Sequence, residues 1–243
     1  MDNFKRLSDM LTSIHANFIN ANSYFMVWQS LEKLINPDEI WIDKAQENLD
    51  SMNKYKNFFI PIMWSCKNMY LLELAKCFDN DKKVLSIFTV LSFGRENINE
   101  LTFNNYKLYK KDEVILEEDE YEAISMDFLD SCNKKIKSKS KIINRLMNFR
   151  NQYLGHNQLY TDTNSSITID EVIELMKLLM ELWNDISHRL LRATWWHNFS
   201  DKQAYEEMER LLNYLHRFEK YRLREIQMES KKRLSEYRKN VQD

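Results

Sequence analysis

Apolar residues recur at steps of three and four along most of this chain, which is the spacing of an amphipathic α-helix. Asn36-Pro37 predicts a helix cap followed by a first-turn proline, so a second helix is expected to open at Asp38. Pro61 is expected to kink or restart that second helix. Before Asn36 the spacing predicts one helix of about nine turns, with an apolar stripe made of Phe4, Leu7, Leu11, Ile14, Phe18, Ala21, Phe25, Trp28, Leu31 and Ile35.

The segment from Ile60 to Phe78 is apolar on nearly all sides, so it is expected to be the central, most buried helix. Within it, Glu73 has apolar neighbours one and two turns away and faces an apolar surface. The polar stretch Asp79-Asn80-Asp81 is expected to end this helix. A short helix around Val84–Phe93 should follow and stop at Gly94.

Three further helices are predicted in the second half of the chain. One runs from about Lys135 to Leu154 and ends at Gly155, and a capping box at Thr168 and Glu171 opens the next. The last spans Ser200–Asp243, is highly charged, and carries a short apolar stripe of Tyr205, Met208, Leu212 and Leu215. We therefore expect an all-α fold, with a helical bundle over residues 1–198 and a charged helical extension over residues 199–243.

Composition narrows the classes of function. Two glycines and two prolines in 243 residues exclude P-loop and dinucleotide-binding sites, which need several glycines in a short run. The formal net charge of −2 says nothing about partners. The five histidines are dispersed without metal-ligand spacing, so neither a metal nor a cofactor is expected. No signal peptide or membrane span is visible, and three cysteines without a C-x-x-C pair favour reduced core thiols and a cytoplasmic location.

Charge is unevenly distributed between residues 111 and 141. An acidic stretch, Lys111–Glu122, gives way to a basic run made of Lys134, Lys135, Lys137, Lys139 and Lys141. One interpretation is a solvated helix face on each side of a bend. The other is a cation-rich approach to the segment that follows, which has meaning if RNA is the ligand because phosphate contacts provide most of the affinity.

Arg150 is the first candidate for chemistry. Helical spacing puts it on the apolar face with Ile143 and Leu146, where a guanidinium needs an anion beside it. Glu73 and Asp79 are the candidate protein partners, and a substrate phosphate held by the planar fork is the other possibility.

His156 directly follows Gly155, which is suited to end the helix in a left-handed turn. Such a turn lets the imidazole fold back, so Arg150 and His156 can converge on one pocket and support proton transfer. The structural alternative is that Arg150 pairs with Glu73 or Asp79 while His156 caps a helix end.

The segment Phe149-Arg-Asn-Gln-Tyr-Leu-Gly-His-Asn157 resembles the signature of the HEPN superfamily, an Arg and a polar residue followed after a few positions by His. The stretches Leu71–Asp79 and Leu85–Leu91 are similar to the abortive-infection U-type branch of that superfamily. The similarity spans about residues 4–191, although only the nine-residue motif is specific.

The resemblance implies a helical bundle that dimerises and a metal-independent RNA endonuclease, acting as a toxin or phage-defence effector. It implies that Arg150 holds the scissile phosphate, that His156 is the general acid or base, and that Asn151 orients the motif or the phosphate by hydrogen bonding. The expected products carry a 2′,3′-cyclic phosphate and a 5′-OH. Supporting positions are expected at Glu73, Asp79, Tyr153 and Asn157, with weaker RNA contacts at Lys135, Lys137, Lys139 and Lys141.

One feature departs from the family pattern. Some members carry a tyrosine two residues after the histidine, which a nucleotidyltransferase-type antitoxin adenylylates, whereas position 158 here is Gln and the nearest tyrosine is Tyr160. Two alternatives stay open. The chain can be a non-catalytic helical scaffold that binds a partner protein or nucleotide through the same groove. The helix Ser200–Asp243 can instead be an oligomerisation or ribosome-binding arm.

Overall fold

A computed structural model describes residues 3–111, 117–155, 167–192, 194 and 202–240. In these ranges the protein contains nine α-helices and no strand, which confirms the predicted all-α fold. The helices are α1 Asn3–Ile35, α2 Ile42–Lys54, α3 Lys56–Cys77, α4 Ile87–Glu96, α5 Phe103–Lys110, α6 Met126–Ser138, α7 Ser140–Phe149, α8 Ile169–Leu191 and α9 Lys202–Asn240. A π-helical turn, Arg150–Gly155, follows α7.

The chain forms two compact units, one made of residues 1–24 and 67–199 and the other of residues 25–66 and 200–243. Helices α1 and α3 each contribute residues to both units. The first unit therefore contains the predicted motif, and the second contains α2 and α9. The division between residues 198 and 199 stays a prediction.

In the first unit, the predicted apolar stripe of α1 is buried against α3 and α8. Leu7, Leu11 and Ile14 are fully buried, which confirms the long amphipathic helix. The indole Nε1 of Trp183 on α8 donates a 3.0 Å hydrogen bond to the carbonyl of Leu11. Helix α1 is therefore the long helix against which other helices of this unit pack.

The second unit is organised around a small apolar cluster. Its buried members come from α1, α2, α3 and α9, namely Leu31, Leu34, Met52, Phe59 and Leu212. The predicted stripe of α9 packs here, since Tyr205, Met208 and Leu215 lie against the cluster. Side-chain hydrogen bonds join α9 to α2 and its end, including Tyr55 Oη to Glu219 Oε1 at 2.7 Å.

The start of α2 is later than predicted. Asn36 does not cap a helix at Asp38; its Oδ1 accepts the backbone N–H of Asp38 at 3.1 Å and closes a turn. Asparagine favours such local side-chain turns over helix propagation. The helix begins four residues later, at Ile42, where Trp41 is 88% exposed.

The break expected at Pro61 occurs elsewhere. Helix α2 ends at Lys54, Tyr55 is its C-cap, and α3 runs from Lys56 through Pro61 without interruption. The expectation of a fully buried central helix is also wrong for the first half of α3, because Ile60 and Trp64 are 62% and 67% exposed. The second half, from Tyr70 to Cys77, is the part that packs in the core.

Gly94 does not end α4, which continues to Glu96. The glycine is buried and faces Leu129 of α6, whose Cδ2 would lie 3.5 Å from a Cβ at this position.

The predicted single helix from Lys135 to Leu154 is two helices, α6 and α7, that meet at Lys139, followed by the π-helical turn. The capping box of Thr168 and Glu171 is confirmed at the start of α8.

Candidate functional site

Arg150 lies where α7 ends and the π-helical turn begins. Ile143 and Leu146 are buried on the inner face of α7, and the backbone N–H of Arg150 donates to the carbonyl of Leu146. The Arg150 side chain is 25% exposed, so most of it is shielded from solvent. A π-turn inside a helical segment widens the backbone and is frequent at functional sites.

Asp79 supplies the anion that Arg150 requires. The Arg150 Nη1 forms an ion pair with Asp79 Oδ2, and the Asp79 side chain is only 12% exposed. Asp79 follows the end of α3, and its Oδ1 accepts the backbone N–H of Asp81 at 3.0 Å. The carboxylate is therefore fixed by its own turn while its second oxygen neutralises the guanidinium.

The remaining edge of the guanidinium is covered by its neighbour. Asn151 Oδ1 accepts from Arg150 Nε at 3.1 Å and from Nη2 at 3.0 Å. This Nε–Nη2 edge is the one that receives two oxygens of a phosphate or carboxylate in bidentate recognition. Asn151 is exposed, so the group that occupies this edge is a surface amide.

Glu73, the other predicted partner of Arg150, pairs with Lys76 instead. Lys76 Nζ donates to Glu73 Oε1 at 2.6 Å one turn away on α3. The residue is 5% exposed, and its Oε2 is buried with no hydrogen-bond partner among the described residues. One turn further along α3, burial and the nearby charge of Glu73 raise the pKa of the Cys77 thiol to about 12.

Several predicted site residues lie outside the described part of the chain. These are His156, Asn157 and Tyr160, together with the Tyr153 side chain. The structure therefore brings together Arg150, Asn151 and Asp79, while the convergence of Arg150 with His156 stays a prediction.

The lysines of the basic run differ in whether they pair with a carboxylate of α8. Lys135 Nζ donates to Glu181 at 2.5 Å and to Asp185 at 2.9 Å on α8, and these bonds raise the pKa of Lys135. Lys139, between α6 and α7, forms an ion pair with Glu174, which also lies on α8. Lys137 and Lys141 are exposed and have no ion pair with any carboxylate in the described ranges. Two of the four lysines expected to contact RNA thus hold α8 in place.

Sequence reasoning missed a second set of cations. Lys82 and Lys83 follow the turn that contains Asp79, and they line a cleft of about 580 Å³ along α4. Arg95, also missed, lines an adjoining cleft of about 620 Å³ together with Lys134 of the basic run. The signal available in the sequence was the lysine pair directly after a helix end, next to a carboxylate already suspected of holding Arg150.

The described residues contain neither a membrane-spanning helix nor a cluster of metal-ligating side chains. None of the described helices is long and apolar enough to cross a membrane. Within the same ranges, no group of three or more His, Cys, Asp or Glu side chains has the proximity needed to hold a metal ion.

Comparison with known proteins gives one match. A family model for HEPN proteins, described as AbiU2, matches residues 4–211, which covers most of the chain and includes Arg150, Asn151 and His156. No curated protein and no solved structure matches significantly. The match agrees with the resemblance drawn from the motif at Phe149–Asn157 and extends beyond it to α9. The chain therefore belongs to the AbiU2 family of HEPN proteins, a family associated with abortive infection.

Proposed function

We propose that this protein is a metal-independent RNA endonuclease whose catalytic residues are Arg150, His156 and Asn151. The observation that carries the proposal is the state of the Arg150 guanidinium. The Arg150 side chain is three-quarters buried and anchored by Asp79, yet among the described residues the bidentate edge of its guanidinium is covered only by the exposed amide of Asn151. An arginine that served structure alone would gain more from a second buried carboxylate than from a surface amide.

RNA binding at this site is an exchange of hydrogen-bond acceptors. The scissile phosphate displaces Asn151 Oδ1 and accepts from Arg150 Nε and Nη2, while Asp79 keeps Nη1 and the orientation of the fork. The displaced Asn151 amide can then donate to a phosphate oxygen through its Nδ2. Arg150 stabilises the charge that accumulates on the phosphorane, an effect worth about two to three powers of ten in rate.

Proton transfer falls to His156. Its neutral imidazole accepts the proton of the ribose 2′-OH, the 2′-oxygen forms a bond to the adjacent phosphorus, and the bond from phosphorus to the 5′-oxygen breaks. The leaving 5′-oxygen takes up a proton from solvent and the imidazolium of His156 returns its proton to solvent, so the products carry a 2′,3′-cyclic phosphate and a 5′-OH. The reaction consumes no water in this step and needs no metal, since an arginine neutralises the phosphate.

In the cell, we propose a role as a toxin or phage-defence effector that acts as a homodimer with two motifs brought together. A nucleotidyltransferase-type antitoxin is a candidate partner, and Tyr160 is the nearest tyrosine it could modify. Expression of the wild type in bacteria should arrest growth, whereas His156→Ala should not. Equal growth of the two strains at equal protein levels would contradict an unregulated toxin.

A non-catalytic scaffold is the second candidate function. The observation that favours it is that every nitrogen of the Arg150 guanidinium already has a protein partner. In that role Arg150 and Asp79 join the end of α7 to the end of α3, and the groove binds a partner protein or nucleotide. A scaffold of this kind binds its ligand without cleaving RNA.

Cleavage of RNA in EDTA separates the two functions. Wild-type protein, Arg150→Ala and His156→Ala are compared on the same single-stranded RNA, with folding checked by circular dichroism. The nuclease predicts cleavage by the wild type and losses of at least about a hundredfold in both variants. Arg217→Ala and His188→Ala, which change exposed residues on α9 and α8, are the matched controls and should cleave as the wild type does.

The same set of proteins also shows which results would contradict the proposed nuclease. Cleavage that persists in both variants would contradict the proposed site. A wild type that binds RNA or a nucleotide but never cleaves would favour the scaffold.

A further inference from the structure

Two clefts adjoin along one side of α4, in the same unit as Arg150. The first, about 620 Å³, lies between α4 and α6, and the second, about 580 Å³, lies between α4, the start of α1 and the turn after α3. Phe88 and Ser92 line both clefts, so the two clefts adjoin at these residues, and we call the pair together the α4 groove.

The α4 groove is cationic although the protein as a whole is slightly acidic. Its lining includes two carboxylates, Glu96 and Asp130, against six cations, Arg6, Lys82, Lys83, Arg95, Lys134 and Lys137. Such an excess of one sign in a concave surface raises the local concentration of a polyanion.

Four of these cations are available to a ligand. The side chains of Lys82, Lys83, Lys134 and Lys137 are exposed and form no ion pair with any carboxylate that the structure describes. The contrast with Lys135, which bonds Glu181 and Asp185, is direct because the two kinds of lysine alternate on one helix. Arg95 has one partner, Asp130 Oδ1 at 2.5 Å, and both of these side chains are partly exposed.

An aromatic ring lies between the two groups of lysines. Phe88 is half-buried on α4, with Lys82 and Lys83 in one cleft and Lys134 and Lys137 in the other. A ring flanked by cations is the arrangement that binds single-stranded nucleic acid, where a base stacks on the ring and phosphates meet the charges. A paired strand keeps its bases inside the duplex and cannot use the ring.

One end of the α4 groove lies at the turn that positions Arg150. Asp79, which pairs with Arg150, is followed directly by Asn80, and Asn80 lines the groove together with Lys82. The Asp79 carboxylate also accepts the backbone N–H of Asp81, so one turn carries both the anchor of Arg150 and the residues that begin the groove.

We infer that the α4 groove is the substrate-binding path for single-stranded RNA, with Lys82, Lys83, Lys134 and Lys137 on phosphates and Phe88 under a base. The inference rests on the proposed nuclease function, since it assigns the groove to the substrate of Arg150. It adds which surface selects the RNA and which form of RNA it accepts.

Binding of a labelled single-stranded oligouridylate, measured by fluorescence anisotropy in EDTA, tests the inference. All proteins carry His156→Ala so that cleavage does not interfere. Lys134→Gln/Lys137→Gln and Lys82→Gln/Lys83→Gln should each weaken binding about tenfold at moderate salt and lower the slope of log Kd against log salt by about 1.4. Phe88→Leu should weaken binding about fivefold or more while leaving that slope unchanged.

The matched control is Lys231→Gln/Lys232→Gln, which removes the same charge from two exposed lysines of α9. It should bind as the parent does. A double-stranded RNA of equal length should compete poorly. Groove variants that bind like the parent, or a control that weakens binding as much, would overturn the inference.

Cleavage assays with the His156 side chain restored separate this failure from failure of the nuclease itself. If the wild type cleaves RNA and the groove variants cleave equally well, the groove assignment is wrong and the nuclease stands. If the wild type neither binds nor cleaves RNA, both the nuclease and the groove assignment fall.

Discussion

At the scale of single residues, the Arg150 guanidinium at the end of α7 has two different kinds of partner. Asp79 takes one nitrogen of Arg150 from a fixed turn, and Asn151 takes the other two from an exposed position. The bond to the Asp79 carboxylate is therefore strong, whereas the bonds to the neutral amide of Asn151 are weaker. Sequence spacing was sufficient to predict that Arg150 needs an anion and to name Asp79 as a candidate. It did not predict that Asn151 accepts hydrogen bonds from two nitrogens of Arg150, because that contact depends on the π-turn geometry.

Replacing Asp79 should disturb Arg150 in two measurable ways. Asp79→Asn keeps the volume but removes the charge, so the free energy of unfolding in urea should fall by about 1–3 kcal/mol. In cleavage, kcat should fall more than KM rises, because the guanidinium still attracts phosphate but loses its orientation. Asp79→Glu should recover part of kcat, and Asp38→Asn, on an exposed turn, should change neither quantity. An unchanged kcat in Asp79→Asn would show that Asp79 has no positioning role.

Cys77 links burial to stability at alkaline pH. Burial raises the pKa of this thiol from about 9 to about 12, so the unfolded chain releases a proton that the folded protein retains. The stabilisation is thus complete below pH 9 and is lost as the pH rises toward 12, by about 1.4 kcal/mol per pH unit from this group. Urea unfolding at pH 8, 9, 10 and 11 should show that decline, and Cys77→Ala should have a shallower one. Equal slopes for the two proteins would contradict the assignment.

At the scale of helices, the apolar pattern predicted most of the helical segments, but it missed α5 and the first part of α6 and did not predict where the helices end. The stripe of α1 and the capping box of α8 were predicted correctly because both are local signals, the first repeated over many residues and the second complete within one turn. Gly94 was misread as a stop, since a glycine in a helix that packs closely has the same sequence appearance as a glycine in a cap. The exposed first half of α3 was misread because apolar character alone does not distinguish burial from exposure.

Gly94→Ala is a direct test of that correction. A Cβ at this position would be 3.5 Å from Leu129 Cδ2, which is ordinary contact, and the backbone φ is not positive. Alanine should therefore raise the free energy of unfolding by about 0.5–1 kcal/mol through its higher helix propensity. A bulkier Gly94→Leu should lower it by pressing against α6. Destabilisation by alanine would restore the helix-stop interpretation.

At the scale of the whole molecule, each of the two units has an apolar core of its own. The first unit includes Arg150, Asp79 and the α4 groove, and the second is closed by α9. Within the second unit, the first part of α9 supplies Leu212 to the cluster, whereas side chains from residue 220 onward are exposed wherever the structure describes them. Composition predicted a charged extension, but it did not reveal that the beginning of α9 completes a core.

Truncations within α9 should therefore differ sharply. Removing residues 224–243 deletes exposed side chains but keeps Arg222, which pairs with the buried Glu219, and should leave the thermal midpoint within about 2 °C of the full chain. Removing residues 200–243 uncovers Leu34, Met52 and Phe59 and should cause aggregation or loss of cooperative unfolding. Differential scanning fluorimetry with light scattering distinguishes the two. A cooperative, monodisperse 1–199 fragment would contradict a structural role for α9.

The most direct test of the proposed chemistry is the identity of the product ends. Wild-type protein in EDTA is given an all-ribose oligonucleotide and the same sequence with 2′-O-methyl groups, and the products are weighed by mass spectrometry. We predict 2′,3′-cyclic phosphate and 5′-OH ends from the ribose substrate, no cleavage of the methylated one, and no products from Arg150→Ala. Cleavage of the methylated substrate, or undiminished cleavage by folded Arg150→Ala, would contradict an arginine-assisted attack by the 2′-hydroxyl.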